Sequence, residues 1–149
     1  VTETVYIPPH GRVRRNGTFI PPLLIIPFVF YNVAAFVFFG GNPAGWSQVL
    51  FTIPMVSNTA WAVSWGDLLV ALSLVILFIE LLKSTRIGTQ SILEHMLSMG
   101  LFVLFLVEFL LVGAASSSVF FLLLLMSVID VIAGFTMSIT GASRDVTMG

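Results

Sequence analysis

Cysteine is absent from the 149 residues. Without it there is no disulfide framework, no thiolate metal site and no cysteine nucleophile, and redox chemistry says nothing about compartment. Charge is almost as scarce. Asp, Glu, Lys and Arg make up 9% of the chain, against about 25% in a typical soluble domain. Histidine occurs only at His10 and His95, so no pair of intramembrane imidazoles exists to ligate a b-type haem. Glu94 and His95 are consecutive and point about 100° apart on a helix, which is a poor start for a zinc site. Neither an HExxH-type motif nor a nucleophile–base pair is present. Three arginines in an amino-terminal tail, with no folded reader beside them, do not make a nucleic-acid site. These absences lead us to expect no cofactor, no metal and no catalytic residues.

What the chain does have is hydrophobicity: 58% of its residues are apolar and the mean hydropathy is +1.08. A membrane-crossing helix takes about 20 apolar residues at 1.5 Å each. Four segments meet that length: 19–39, 63–82, 92–112 and 119–139. The expected fold is therefore an all-α membrane protein with four transmembrane helices in an antiparallel bundle. It occupies residues 19–139, between an amino-terminal tail (1–18) and a carboxyl-terminal tail (140–149). The first apolar run follows a basic stretch, as in a signal peptide. It is long for one, and no convincing small-x-small site closes it, so it reads as a retained span.

The six cations are Arg12, Arg14, Arg15, Lys83, Arg86 and Arg144. All fall in the two tails or the connection between spans two and three, which places both termini in the cytoplasm by the positive-inside rule. Trp46, Trp61 and Trp65 sit at the other face, where an aromatic belt belongs. The expected location is an inner membrane of bacterial type. The tail arginines would favour anionic lipid.

The connection 40–62 is too long for a hairpin turn between helices and too apolar for a solvated loop. Its run 49–56 is too short to span, so an interfacial or re-entrant segment broken at Pro54 is expected. In the first span, Pro27 should kink the helix, and Asn32 is placed to bond across helices. Gly88 reads as the stop of the second span. Ser91 and Glu94 match the S-x-x-E capping box and would start the third.

The remaining polar residues carry the functional question. Glu80 lies one turn before Lys83, near the cytoplasmic headgroups, and reads as a snorkelling, ion-paired carboxylate. His95 reads as interfacial. Ser73, Leu77 and Glu80 share one helix face, as do Glu94, Ser98, Leu101, Phe105 and Glu108. Ser127, Asp130, Gly134, Ser138 and Gly141 form a side of small and polar residues suited to helix packing. Counting from the outer ends at 1.5 Å per residue puts Glu108 roughly 6 Å deep and Asp130 roughly 16 Å deep. No terminus or interface explains these two acids, and the chemistry is expected to lie with them.

Asp130, Glu108, Glu80, Glu94, His95 and Asn32 thus form the candidate set, as a proton or cation path or as polar contacts between helices. Two functions follow. One is an accessory or assembly subunit of a larger membrane complex, partnered by lipid and by other membrane subunits or copies of itself. The other is a small proton- or cation-coupled transporter or channel using Glu108 and Asp130.

Overall fold

The computed structural model describes residues 21–84 and 89–147, with side-chain environments over 21–84 and 93–136. The expectations for the 1–18 tail, Arg86 and Gly88 lie outside the described residues. The chain begins with helix α1, Ile25–Val33, which widens into a π-helical turn over Ala34–Phe38. A 3-10 turn, Pro43–Ser47, leads to strands β1, Val49–Pro54, and β2, Ala60–Ser64. Three long helices follow: α2, Trp65–Ser84; α3, Thr89–Leu111; and α4, Ser118–Thr147.

The architecture is mostly helical, as expected, but not all-α. Among the described residues, three helical stretches are long and apolar enough to cross a membrane: Trp65–Ser84, Leu93–Leu111 and Ser118–Thr136. The first apolar helix, Ile25–Phe38, is shorter. It spans about 21 Å against a hydrocarbon core of about 30 Å. Proline shortens it at the start. Residues 21 and 22 are both proline, and Pro27 falls in the first turn of α1, where a missing N–H leaves no gap in the ladder. The expected mid-helix kink at Pro27 is thereby removed.

Gly40 and Gly41 end the helix in the left-handed region, with φ of 58° and 81°. Their chain reversal lets Gly41 N–H reach Ala35 O at 2.8 Å.

The segment expected to be interfacial or re-entrant, 40–62, supplies the 3-10 turn and most of an antiparallel hairpin with a bulge between Val49 and Phe51. Alternating Val49, Phe51 and Ile53 on one strand, with Trp61 and Val63 on the other, suit a pleated surface. The turn closes through Met55 N–H to Thr59 O (2.9 Å) and Asn58 N–H to Met55 O (3.0 Å). Asn58 takes a positive φ of 59°, a conformation asparagine tolerates well.

β2 runs directly into α2. Ser64 N–H and Oγ both donate to Asp67 Oδ2 (2.8 and 2.7 Å), and Asp67 N–H donates back to Ser64 Oγ (3.2 Å). This is a reciprocal capping box. The box expected at Ser91 and Glu94 is displaced, because α3 is already formed at Thr89. At the far end α4 continues through Thr147, so most of the expected 140–149 tail is helical.

α4 is the central element, packed against both α2 and α3. Its buried side carries Phe120, Leu123, Leu124, Ser127, Asp130 and Gly134. Gly66 lets α2 approach it, since a Cβ there would lie 2.5 Å from Val119 Cγ2 and 3.1 Å from Trp46 O. α1 runs antiparallel to α2 and reaches all three long helices. Phe28 meets Phe105 edge-on at 4.7 Å and Phe120 at 6.5 Å.

The outward helix faces present Leu68, Leu72, Leu74, Val75, Phe78, Leu104, Val107, Leu125 and Ile132, all exposed. The buried faces hold Ser73, Glu80, Ser98, Ser127 and Asp130. Polar groups inside and large apolar side chains outside suit lipid as the surrounding solvent.

Candidate functional site

Two polar clusters form inside the bundle, one towards each end. The first gathers around Lys83. Glu80 is on the buried face of α2 and is only 3% exposed. One of its carboxylate oxygens takes Lys83 Nζ at 2.8 Å, and the other accepts the Leu23 backbone N–H at 2.8 Å. Lys83 also donates to Pro21 O at 3.3 Å and stands 4.0 Å from Glu94 Oε2. Glu80 is ion-paired with Lys83 as expected, but it is buried and does not snorkel. It points into the bundle because the proline-rich start of α1 leaves the Leu23 N–H free of a helical partner, and Glu80 supplies one. Glu94, whose expected capping role is lost, instead faces Lys83 from α3.

Asp130 belongs to this same end. It is 5% exposed and hydrogen-bonds Ser98, itself 6% exposed, while Glu80, Lys83 and His95 lie close enough to act on its charge. By helical rise, Asp130 is about 18 Å along α4 from Ser118, and Ser98 is about 20 Å back along α3 from Leu111. Glu80 is about 22 Å along α2 from Trp65, so these side chains lie at nearly one depth. His95 is half-buried, with its ring against Gly134. Among the described residues, no three His, Cys, Asp or Glu side chains are grouped to hold a metal ion.

The second cluster is at the hairpin end. Asn32 Nδ2 donates to Glu108 Oε2 at 3.1 Å and also to Phe28 O at 3.1 Å. Beside it, Tyr31 is fully buried. Its hydroxyl donates to Ala114 O at 2.8 Å and lies 2.7 Å from Ser117 Oγ. The same Ser117 Oγ accepts Phe120 N–H at 3.1 Å, capping α4. Trp46 stacks on Tyr31 with centroids 4.5 Å apart and planes 13° from parallel. Trp46 Nε1 is buried with no hydrogen-bond partner among the described residues.

Glu108 and Asp130, the two acids expected to carry the chemistry, are not a direct pair, in keeping with their different counted depths. Glu108 goes with Asn32, while Asp130 joins Ser98 and the surroundings of Glu80, Lys83 and His95. Sequence reasoning indicated the Glu80–Lys83 pair but missed Tyr31 as a contributor and the inward turn of Lys83. Tyr31 had a legible signal, because a tyrosine within an apolar span must find a partner for its hydroxyl. The inward turn of Lys83 had none, since a lysine at a helix end ordinarily turns to the headgroups.

Neither protein-family models, nor curated proteins, nor solved structures match this chain.

Proposed function

We propose that this chain is a four-span integral membrane protein that serves as an accessory or assembly subunit of a larger membrane complex. In this reading α1 is the fourth span, completed by the apolar residues before it, and both termini are cytoplasmic in an inner membrane of bacterial type. Segment 40–62 then lies at the opposite membrane surface. The reading is supported by the way the intramembrane acids are used. Glu80 takes Lys83 and the Leu23 N–H, Asp130 takes Ser98, and Glu108 takes Asn32. Each acid ties one helix to another, which is what a scaffold requires, while large apolar side chains cover the outside.

The test is purification of the tagged full chain from its native membranes in mild detergent, followed by native mass spectrometry. Stoichiometric co-migration with larger membrane subunits is expected. A lone homo-oligomer would overturn the proposal.

One observation favours a second reading, a proton- or cation-coupled transporter. Asp130, Glu80, Lys83 and His95 come together at one end of the bundle, and ionisable groups within spans mark ion and proton routes in many membrane proteins. Under this reading Asp130→Asn abolishes pH-dependent flux in proteoliposomes. The subunit reading expects no such flux in either form.

A further inference from the structure

Strand register sorts the side chains of the hairpin into two unlike faces. Directly opposed residues of an antiparallel pair project to the same side of the sheet. Phe51, paired with Val63, therefore shares a face with Ile53 and Trp61, whereas Thr52 and Ala62 share the other with Pro54 and Ala60. The first face is bulky and apolar and the second is small. At the base of the bulky face Val63 is buried, while Phe51, Ile53 and Trp61 are 50%, 40% and 51% exposed. That face begins covered by protein and then continues outward past it, like an eave.

Three further observations say what lies under the eave. No charged residue occurs from Gly40 to Gly66. The hairpin has no linker to α2, since β2 ends at Ser64 and the membrane-length helix starts at Trp65. Trp65 N–H also bonds Gln48 O at 3.2 Å, and the Ser64–Asp67 box locks the junction. The sheet is thus fixed to the first turn of the membrane-length helix α2. A two-stranded hairpin in water is marginal on its own, and covering its apolar face is what makes it stable. So few side chains fall well short of the area, about 1,200 Å² in total, that a specific protein interface buries. They do suit the membrane boundary, where tryptophan is enriched.

We propose that the Phe51–Ile53–Trp61 face is a membrane-surface anchor, seated at the boundary of headgroups and acyl chains of the leaflet at the hairpin end, with Thr52, Ala60 and Ala62 turned to water. Having no charge, it takes neutral lipid as readily as anionic lipid. The anchor holds α2 at a set height in the bilayer. It rests on the membrane reading above.

The absence of cysteine makes the test direct. Single substitutions Ile53→Cys, Trp61→Cys, Thr52→Cys and Ala62→Cys in the full chain each give one site for a nitroxide label. Leu74→Cys, on an exposed position of α2, serves as the reference for lipid. The proteins are reconstituted in phosphatidylcholine vesicles, and label accessibility to oxygen and to a water-soluble nickel chelate is read by power saturation.

The ratio of oxygen to nickel accessibility is expected to be several-fold higher at positions 53 and 61 than at 52 and 62. Adding phosphatidylglycerol should leave it unchanged. Equal, nickel-accessible labels on both faces would overturn the anchor, as would labels at 53 and 61 shielded from both reagents, which indicates a covering protein copy. If Leu74→Cys reports lipid and positions 53 and 61 do not, the anchor alone fails. If Leu74→Cys itself reports water, the membrane reading fails and takes the anchor with it.

Discussion

The imidazole of His95 on α3 occupies the space left by the missing side chain of Gly134 on α4: a Cβ at Gly134 would come within 2.6 Å of His95 Cε1. This contact brings α3 and α4 together one turn beyond Asp130, at the end of the bundle where the acids and Lys83 meet. A small residue at 134 and a histidine at 95 therefore act as one unit of packing.

Gly134→Ala should force the ring out of its seat. Overpacking of this kind costs about 1–3 kcal/mol, measurable as a lowered thermal midpoint in detergent. Adding His95→Ala should recover part of that loss, with a coupling of about 0.5–3 kcal/mol in the double-mutant cycle. Strictly additive losses would show that the two residues do not share the space.

Glu80→Gln removes the charge facing Lys83 but keeps an acceptor for the Leu23 N–H. Breaking a buried ion pair from one side costs about 3–5 kcal/mol, and the Glu94 carboxylate, at 4.0 Å, stands farther from Lys83 than Glu80 does. The double variant Glu80→Gln, Lys83→Met should be clearly more stable than Glu80→Gln alone. Glu80→Ala should lose more than Glu80→Gln, because it also releases the start of α1. Equal unfolding midpoints for all three variants would refute this account.

Tyr31→Phe deletes the hydroxyl that joins α1 to Ala114 and Ser117. We expect a loss of about 1–3 kcal/mol, since the buried Ala114 carbonyl loses its donor and the Ser117 hydroxyl loses its acceptor. Asn32→Ala, which loses one contact to a half-buried Glu108, should cost less, about 0.6 kcal/mol. Chemical unfolding of the two variants in the same detergent decides the order, and a reversed order would count against the geometry at the hairpin end.

Ser64→Ala opens the capping box at the start of α2. A loss of about 1 kcal/mol is expected, confined to the helix end. Hydrogen exchange should show faster amide exchange over the first turn of α2 and the base of the hairpin, with Asp130 and its neighbours unchanged. Uniform loss of protection along α2 would contradict a local cap.

Much of the helix arrangement was legible beforehand. The shared face of Ser73, Leu77 and Glu80 is buried, and so is the run Ser127, Asp130 and Gly134, because a 3.6-residue period decides which side of a helix can meet its neighbours. The hairpin was legible in principle. Val49, Phe51 and Ile53 alternate, Trp61 and Val63 alternate, and Ser57-Asn58-Thr59 supplies the turn between them. Its apolar character in a membrane-like chain favoured the interfacial reading over the period of two. The capping box was misplaced because Ser91-x-x-Glu94 and Ser64-x-x-Asp67 carry the same signature, and only the helix starts tell them apart.

The sequence by itself determined that this is a membrane-type chain, three of its segments long enough to cross, and which helix sides turn inward. Those properties follow from length, hydropathy and period, each of which acts along one segment. Apart from the Glu80–Lys83 pair, only the tertiary structure decided which acid meets which partner. Depth along a helix can be counted, but contact also needs the rotation of one helix against another and the point where each begins. The proline-delayed start of α1 puts a free N–H opposite Glu80, and the turn of α2 brings Lys83 inward. As a result Asp130 lies with Ser98 and the Lys83 cluster at one end of the bundle, while Glu108 lies with Asn32 at the other.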